Sequence, residues 1–223
     1  MHIGLIGGIG PAATDYYYRR LIRTFANRPE ALDLTIAHAD SPTLLAHLAE
    51  GRAAEQAAIF ERLTRRLKAA GAEAVAVTSI AGHFCIDAFR QVSPLPVIDL
   101  LSSVARNLDE AGYRSVGVLG TKGAMASALY GRLKGIDVVA PAGAALDQVH
   151  QAYVDMAVSG VATEAQREVF FDSGRRLAED AGAEAVLLGG TDLFLAFDGH
   201  DPGFKAIDCA LLHIDDIAEE AAR

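Results

Sequence analysis

The pentapeptide Gly-Ala-Glu-Ala-Val occurs twice in this chain, at Gly71–Val75 and Gly182–Val186, and each copy runs into an apolar stretch. A second pair lies at nearly the same offset. Ile3-Gly4-Leu5-Ile6-Gly7-Gly8-Ile9-Gly10 matches Val116-Gly117-Val118-Leu119-Gly120-Thr121-Lys122-Gly123, with Ala13/Ala126, Tyr17/Tyr130 and Arg19/Arg132 beyond. Two halves therefore share one strand-turn-helix plan. Duplicated α/β units meet across a cleft lined by strand ends, so the residues ending the repeated strands, Ser79 and Gly190, are expected to face each other.

At 223 residues the chain exceeds the usual single core, and two lobes of about 100 residues each fit the repeat. A formal charge of −9 and no run of Lys or Arg argue against nucleic acid. Met1-His2-Ile3 enters a strand without a basic, apolar leader, and no apolar run reaches about 18 residues, so a cytoplasmic protein without membrane spans is expected. Cys85 and Cys209 then read as small, buried, reduced residues, and no Cys/His spacing suggests a metal.

Short apolar runs recur at Ile3–Ile6, Leu32–Ala37, Ala74–Val77, Pro96–Ile98, Val116–Leu119, Ile136–Val139 and Val186–Leu188. Near-continuous apolar strands separated by amphipathic stretches imply parallel sheets covered on both faces. Helices are expected over Thr14 to Thr24, Glu55 to Ala70, Ser102–Glu110, Ala165–Ala181 with Thr163 as N-cap, and Asp208–Ala222. Gly71 and Gly182 sit where a helix-ending glycine belongs. The expected fold is thus α/β: two pseudo-symmetric doubly wound lobes with mainly parallel sheets and a ligand cleft between them. The first lobe takes residues 1–100 plus 204–223, the second 101–203, with the last helix returning to the first.

Gly7-Gly8-Ile9-Gly10-Pro11 follows the first strand and opens a helix, which offers backbone N–H groups to an anion. It lacks both nucleotide-loop patterns, so nucleotide binding is remote, and the glycines can equally serve a tight turn. Thr78-Ser79-Ile80-Ala81-Gly82-His83 ends the first repeated strand and Gly189-Gly190-Thr191-Asp192 the second. The hydroxyls of Thr78, Ser79 and Thr191 can hold a carboxylate, and Asp192 is the plausible proton acceptor. The same side chains can instead cap helices. His83, near Ser79, is either a structural histidine or a proton carrier, and Tyr16-Tyr17-Tyr18 reads as helix packing.

Together these segments resemble the aspartate/glutamate racemase superfamily. Gly7-Gly8-Ile9-Gly10-Pro11-Ala12-Ala13-Thr14 is similar to its opening GGxGPxAT, Leu119-Gly120-Thr121-Lys122-Gly123 with Met125 and Tyr130 to its second-half turn, and Ile207-Asp208 with His213 to its C-terminal helix. The resemblance implies a cofactor-independent site, a homodimer, and carbon-acid chemistry on a small carboxylate or amino-acid-like ligand. It also implies two opposed cysteines acting as acid and base. On this chain those two places fall on Ser79 and Gly190, so both thiols are missing. A serine hydroxyl without a base is too weakly acidic and glycine has no side chain, which excludes two-thiol racemisation at these positions. The arginine of aspartate-specific relatives is absent from Asp40-Ser41-Pro42-Thr43-Leu44-Leu45, and no lysine lies between Lys134 and Lys205, which speaks against aspartate.

The expected catalytic set is Ser79, Asp192 and His83, and the expected substrate-binding set is Gly8, Gly10, Thr78, Ile80, Thr121, Gly190 and Thr191. An isomerase of racemase ancestry with altered chemistry is one reading. A non-catalytic carboxylate-binding or regulatory protein, or a decarboxylase or lyase using Asp192 or His83, is the alternative.

Overall fold

The computed structural model describes all 223 residues, which divide into two compact units, Met1–Ser103 with Ala210–Arg223, and Val104–Cys209. In the first unit β1 (Ile3–Gly7), α1 (Pro11–Phe25), β2 (Leu34–His38), α2 (Ser41–Ala49), α3 (Ala53–Ala69) and β3 (Ala74–Val77) follow in order. A 3₁₀ turn (Ala81–Cys85), α4 (Ile86–Val92) and β4 (Val97–Ile98) come next, and α5 (Leu100–Glu110) starts in the first unit and continues into the second. The second unit holds β5 (Ser115–Gly120), α6 (Lys122–Ala126), α7 (Ala128–Gly131), β6 (Asp137–Val139), α8 (Ala144–Ser159), α9 (Glu164–Glu179), β7 (Ala185–Gly189), α10 (Phe194–Phe197) and β8 (Ala206–Asp208). The last helix, α11 (Cys209–Ala221), returns to the first unit, where the Met1 amino group donates to the Ala221 carbonyl and Arg28 Nη1 to that of Ala218.

Each unit carries one all-parallel four-stranded sheet, in the order β2-β1-β3-β4 and β6-β5-β7-β8. The strands β1, β3 and β7 are buried along their whole length, and β5 from its second residue on, which is why their sequences read as unbroken apolar runs. The edge strand β8 is three residues long with Ala206 exposed. It pairs with β7, so 206–208 belongs to the second sheet and not, as the sequence suggested, to the first lobe.

The repeated pentapeptide has the same job in both sheets. Gly71 and Gly182 take left-handed backbone, φ +101° and +71°, just past the ends of α3 and α9. The glutamate that follows accepts from a backbone N–H ahead of the neighbouring strand. Glu73 Oε2 takes His2 N–H at 2.8 Å, and Glu184 Oε2 takes Arg114 N–H at 2.7 Å. Two donors that would otherwise be left over at the start of β1 and β5 are satisfied by one repeated side chain.

Candidate active site

The chain reverses its direction of winding between β1 and β3 in one sheet and between β5 and β7 in the other. The crevice outside the carboxyl ends of the two strands at such a switch is the default ligand site of a doubly wound sheet. In the first unit that places Gly8, Gly10, Thr78, Ser79 and Ile80 together. Gly8 has φ +96°, and a Cβ there would collide with the His38 ring and come within 2.9 Å of the Ala39 carbonyl. Thr14 ties the loop down: its Oγ1 accepts Gly8 N–H at 2.9 Å and lies 3.0 Å from Thr78 Oγ1. Thr78 is therefore committed to the scaffold and caps no helix. The start of α1 is N-capped by Gly10, which has no side chain to accept from the first turn, and no acidic residue stands in that turn of the 15-residue helix.

Ser79 is 4% exposed, and its carbonyl accepts His83 Nδ1–H at 2.7 Å. With Nδ1 donating, His83 Nε2 accepts Leu100 N–H at 3.3 Å, and Asp99 Oδ1 lies 3.8 Å away. His83 thus joins the end of β3 to the start of α5. Asp99 caps α5 through Leu101 N–H and the Ser102 hydroxyl. Burial acts to raise its pKa, but His83, Ser102 and Leu101 together hold its carboxyl below the usual range. Behind His83 stands His213, which donates from Nε2 to the Ile98 carbonyl and accepts at Nδ1 from the Tyr17 hydroxyl. Burial, then the nearby His83, push His213 down to about 4. Of the three tyrosines, Tyr16 and Tyr17 are buried and Tyr18 is exposed, as helix packing requires.

The second unit gathers Thr121, Gly190, Thr191 and Asp192. Here the helix start is closed by its own side chain: Thr121 Oγ1 accepts Ala124 N–H at 3.2 Å and caps α6. Past α6, the residues Ala128, Leu129 and Tyr130 all have positive φ, so α7 is a left-handed turn. Burial raises the pKa of the Tyr130 hydroxyl, against the effect of its hydrogen bond with Thr121. Thr191 and Asp192 are 1% and 3% exposed, and Thr191 Oγ1 has no hydrogen-bond partner. Asp192 Oδ2 accepts from the Tyr153 hydroxyl at 3.1 Å. Tyr153, on α8, had carried no signal in the sequence beyond its apolar company at Val149, Ala152 and Met156.

Neither cysteine can stand in for a missing thiol. Cys85 and Cys209 are 2% and 0% exposed, and burial pushes the Cys85 thiol up to about 12. No group of three or more His, Cys, Asp or Glu is placed to hold a metal ion, and no helix is long and apolar enough to cross a membrane. A cavity of about 470 Å³ lies between α8 and α9, lined by none of the residues above.

The topology, the two glycine-rich strand ends and their hydroxyls define a class of two-unit α/β protein found among amino-acid racemases. Residues 6–217 match the family model described as Asp/Glu/Hydantoin racemase, and the chain belongs to that family. A proposed Asp/Glu racemase from Yersinia pestis superposes with a TM-score of 0.85 at 24% identity, covering all of both chains. An aspartate racemase homologue from Pyrococcus horikoshii OT3 does so at 0.82 and 26%, over 100% of this chain and 99% of that one. Glutamate racemase from Francisella tularensis, solved with D-glutamate, is more distant at 0.65 and 18%, over 98% and 80%.

Proposed function

We propose that this racemase-family protein binds a small carboxylate or amino-acid-like ligand at the β1/β3 end of its first unit. Its own proton chemistry runs through Asp192 rather than through thiols. The observation that carries the reading is the state of the cysteines: the chain has two, Cys85 and Cys209, both buried, and Ser79 and Gly190 hold the places to which the resemblance assigns the family's acid and base. Thiolate chemistry needs an accessible sulfur of low pKa, and none is present. The start of α1, capped by a glycine and without an acidic residue in its first turn, suits a carboxylate through the helix dipole, and the buried Thr191 hydroxyl suits a polar group of a ligand, since leaving it unpaired costs about 1–3 kcal/mol. Asp192 is the one carboxylate among the candidate residues. In this reading His83 is a positioning residue for the Ser79 backbone, because its Nδ1 and Nε2 bonds are already used to join β3 and α5.

Incubation in D2O with a panel of small carboxylates and amino acids, followed by NMR, tests the proposal. Exchange of the α-proton is expected, abolished in Asp192→Asn and retained in Cys85→Ala. Thermal stabilisation by a ligand with no exchange or product would replace the enzymatic reading by a binding or regulatory one.

A further inference from the structure

Gly190 is a glycine without a backbone reason. Its φ lies outside the left-handed region occupied by twelve other glycines of the chain, so any L residue could adopt its conformation. What it lacks is room. A Cβ built there collides with Tyr153 Cε2 and falls 2.8 Å from Cζ and 3.0 Å from the hydroxyl oxygen. The obstacle is an aromatic ring and not the loose end of a flexible chain. Tyr153 shares the buried face of α8 with Val149, Ala152 and Met156, and its hydroxyl is held by Asp192 at 3.1 Å. Turning the ring away would break a hydrogen bond to a buried carboxylate.

We infer that Tyr153 determines what the second unit's strand end can carry: its ring occupies the space a side chain at 190 would need, and its hydroxyl holds Asp192 in place. The part concerning Asp192 rests on the function proposed above. The steric part does not. The phenol is no substitute base, since burial and then the Asp192 charge raise its pKa well above the ordinary value, and it stays protonated and donating. A side chain at 190 and the Tyr153 ring therefore exclude one another, so a cysteine placed at 190 needs the ring to leave.

A double-mutant cycle on the full chain tests this. Gly190→Cys should lower Tm by roughly 2–10 °C in the wild-type and Tyr153→Phe backgrounds, where the ring remains. In Tyr153→Ala, or in Tyr153→Val should the alanine variant not fold, the same change should leave Tm unaltered or raise it. Equal losses in all backgrounds would overturn the inference. A second cycle reads the hydroxyl: Asp192→Asn should cost less stability in the Tyr153→Phe background than in the parent, by urea denaturation. Equal costs in the two backgrounds would overturn that half of the inference. Both cycles read stability alone, so they stand or fall apart from the D2O exchange that tests the proposed ligand chemistry.

Discussion

The two strand ends share one sequence pattern and differ in how their helices start. At the end of β1, α1 starts on Gly10, which has no side chain to cap with, and Thr14 holds the loop from behind. At the end of β5, α6 starts on Thr121, whose hydroxyl caps it, and the neighbouring end of β7 carries a buried carboxylate, a phenol and an unpaired hydroxyl. Duplicating a fold therefore conserves where a ligand can sit, while a handful of side chains decides which end of it each half can hold.

The two glycines at these ends give the largest expected effect. Gly8 is excluded from bearing a side chain both by φ +96° and by His38 and Ala39, whereas at Gly190 the backbone is permissive and the three nearest atoms all belong to the Tyr153 side chain. Gly8→Ala should cost roughly 2–5 kcal/mol, read by urea denaturation, and no substitution of one neighbouring side chain should rescue it. Rescue by a single change would erase the distinction.

Acid should act on the first unit through the buried His213, which packs edge-on against His83. His213 titrates at about 4 when folded against an ordinary 6.5. Between those values the unfolded chain binds the extra proton, so stability present above about pH 6.5 is lost as pH falls toward about 4, by ~3 kcal/mol. Denaturation at about pH 7.5 and about pH 4.5 should show a smaller acid loss in His213→Gln than in the parent. An unchanged loss would place the acid sensitivity elsewhere.

Tyr153→Phe keeps the ring and removes the donor to Asp192, for an expected ~1–3 kcal/mol in chemical denaturation. The smallest effect is expected at Thr121→Val, which opens the start of α6 at a cost of about 1 kcal/mol. Urea denaturation of this variant beside the parent checks it.

The central strands and the long helices were legible because burial on both faces forces apolar runs of four or more residues, as in β1, β3 and β7. Thr163 announced α9 through a complete capping box with Gln166. The edge strand β8 was invisible, being three residues of half-exposed backbone whose pairing partner, not its own composition, makes it a strand. The family pattern carried Ser79, Gly190, Thr191 and Asp192. It carried neither Tyr153, 37 positions before Gly190, nor the tie from Thr14 to Thr78, 64 residues apart.

The sequence by itself determined the internal repeat, the parallel α/β plan and the family, since these depend on order and periodicity along the chain. Only the tertiary structure decided what a side chain at 190 would meet, that Thr121 caps its helix while Gly10 cannot, and that His83 is already engaged at both ring nitrogens. Those depend on contacts between residues far apart in sequence, made only when the sheet and helices close the distance. A close-packed interior turns one ring into the reason another side chain is missing.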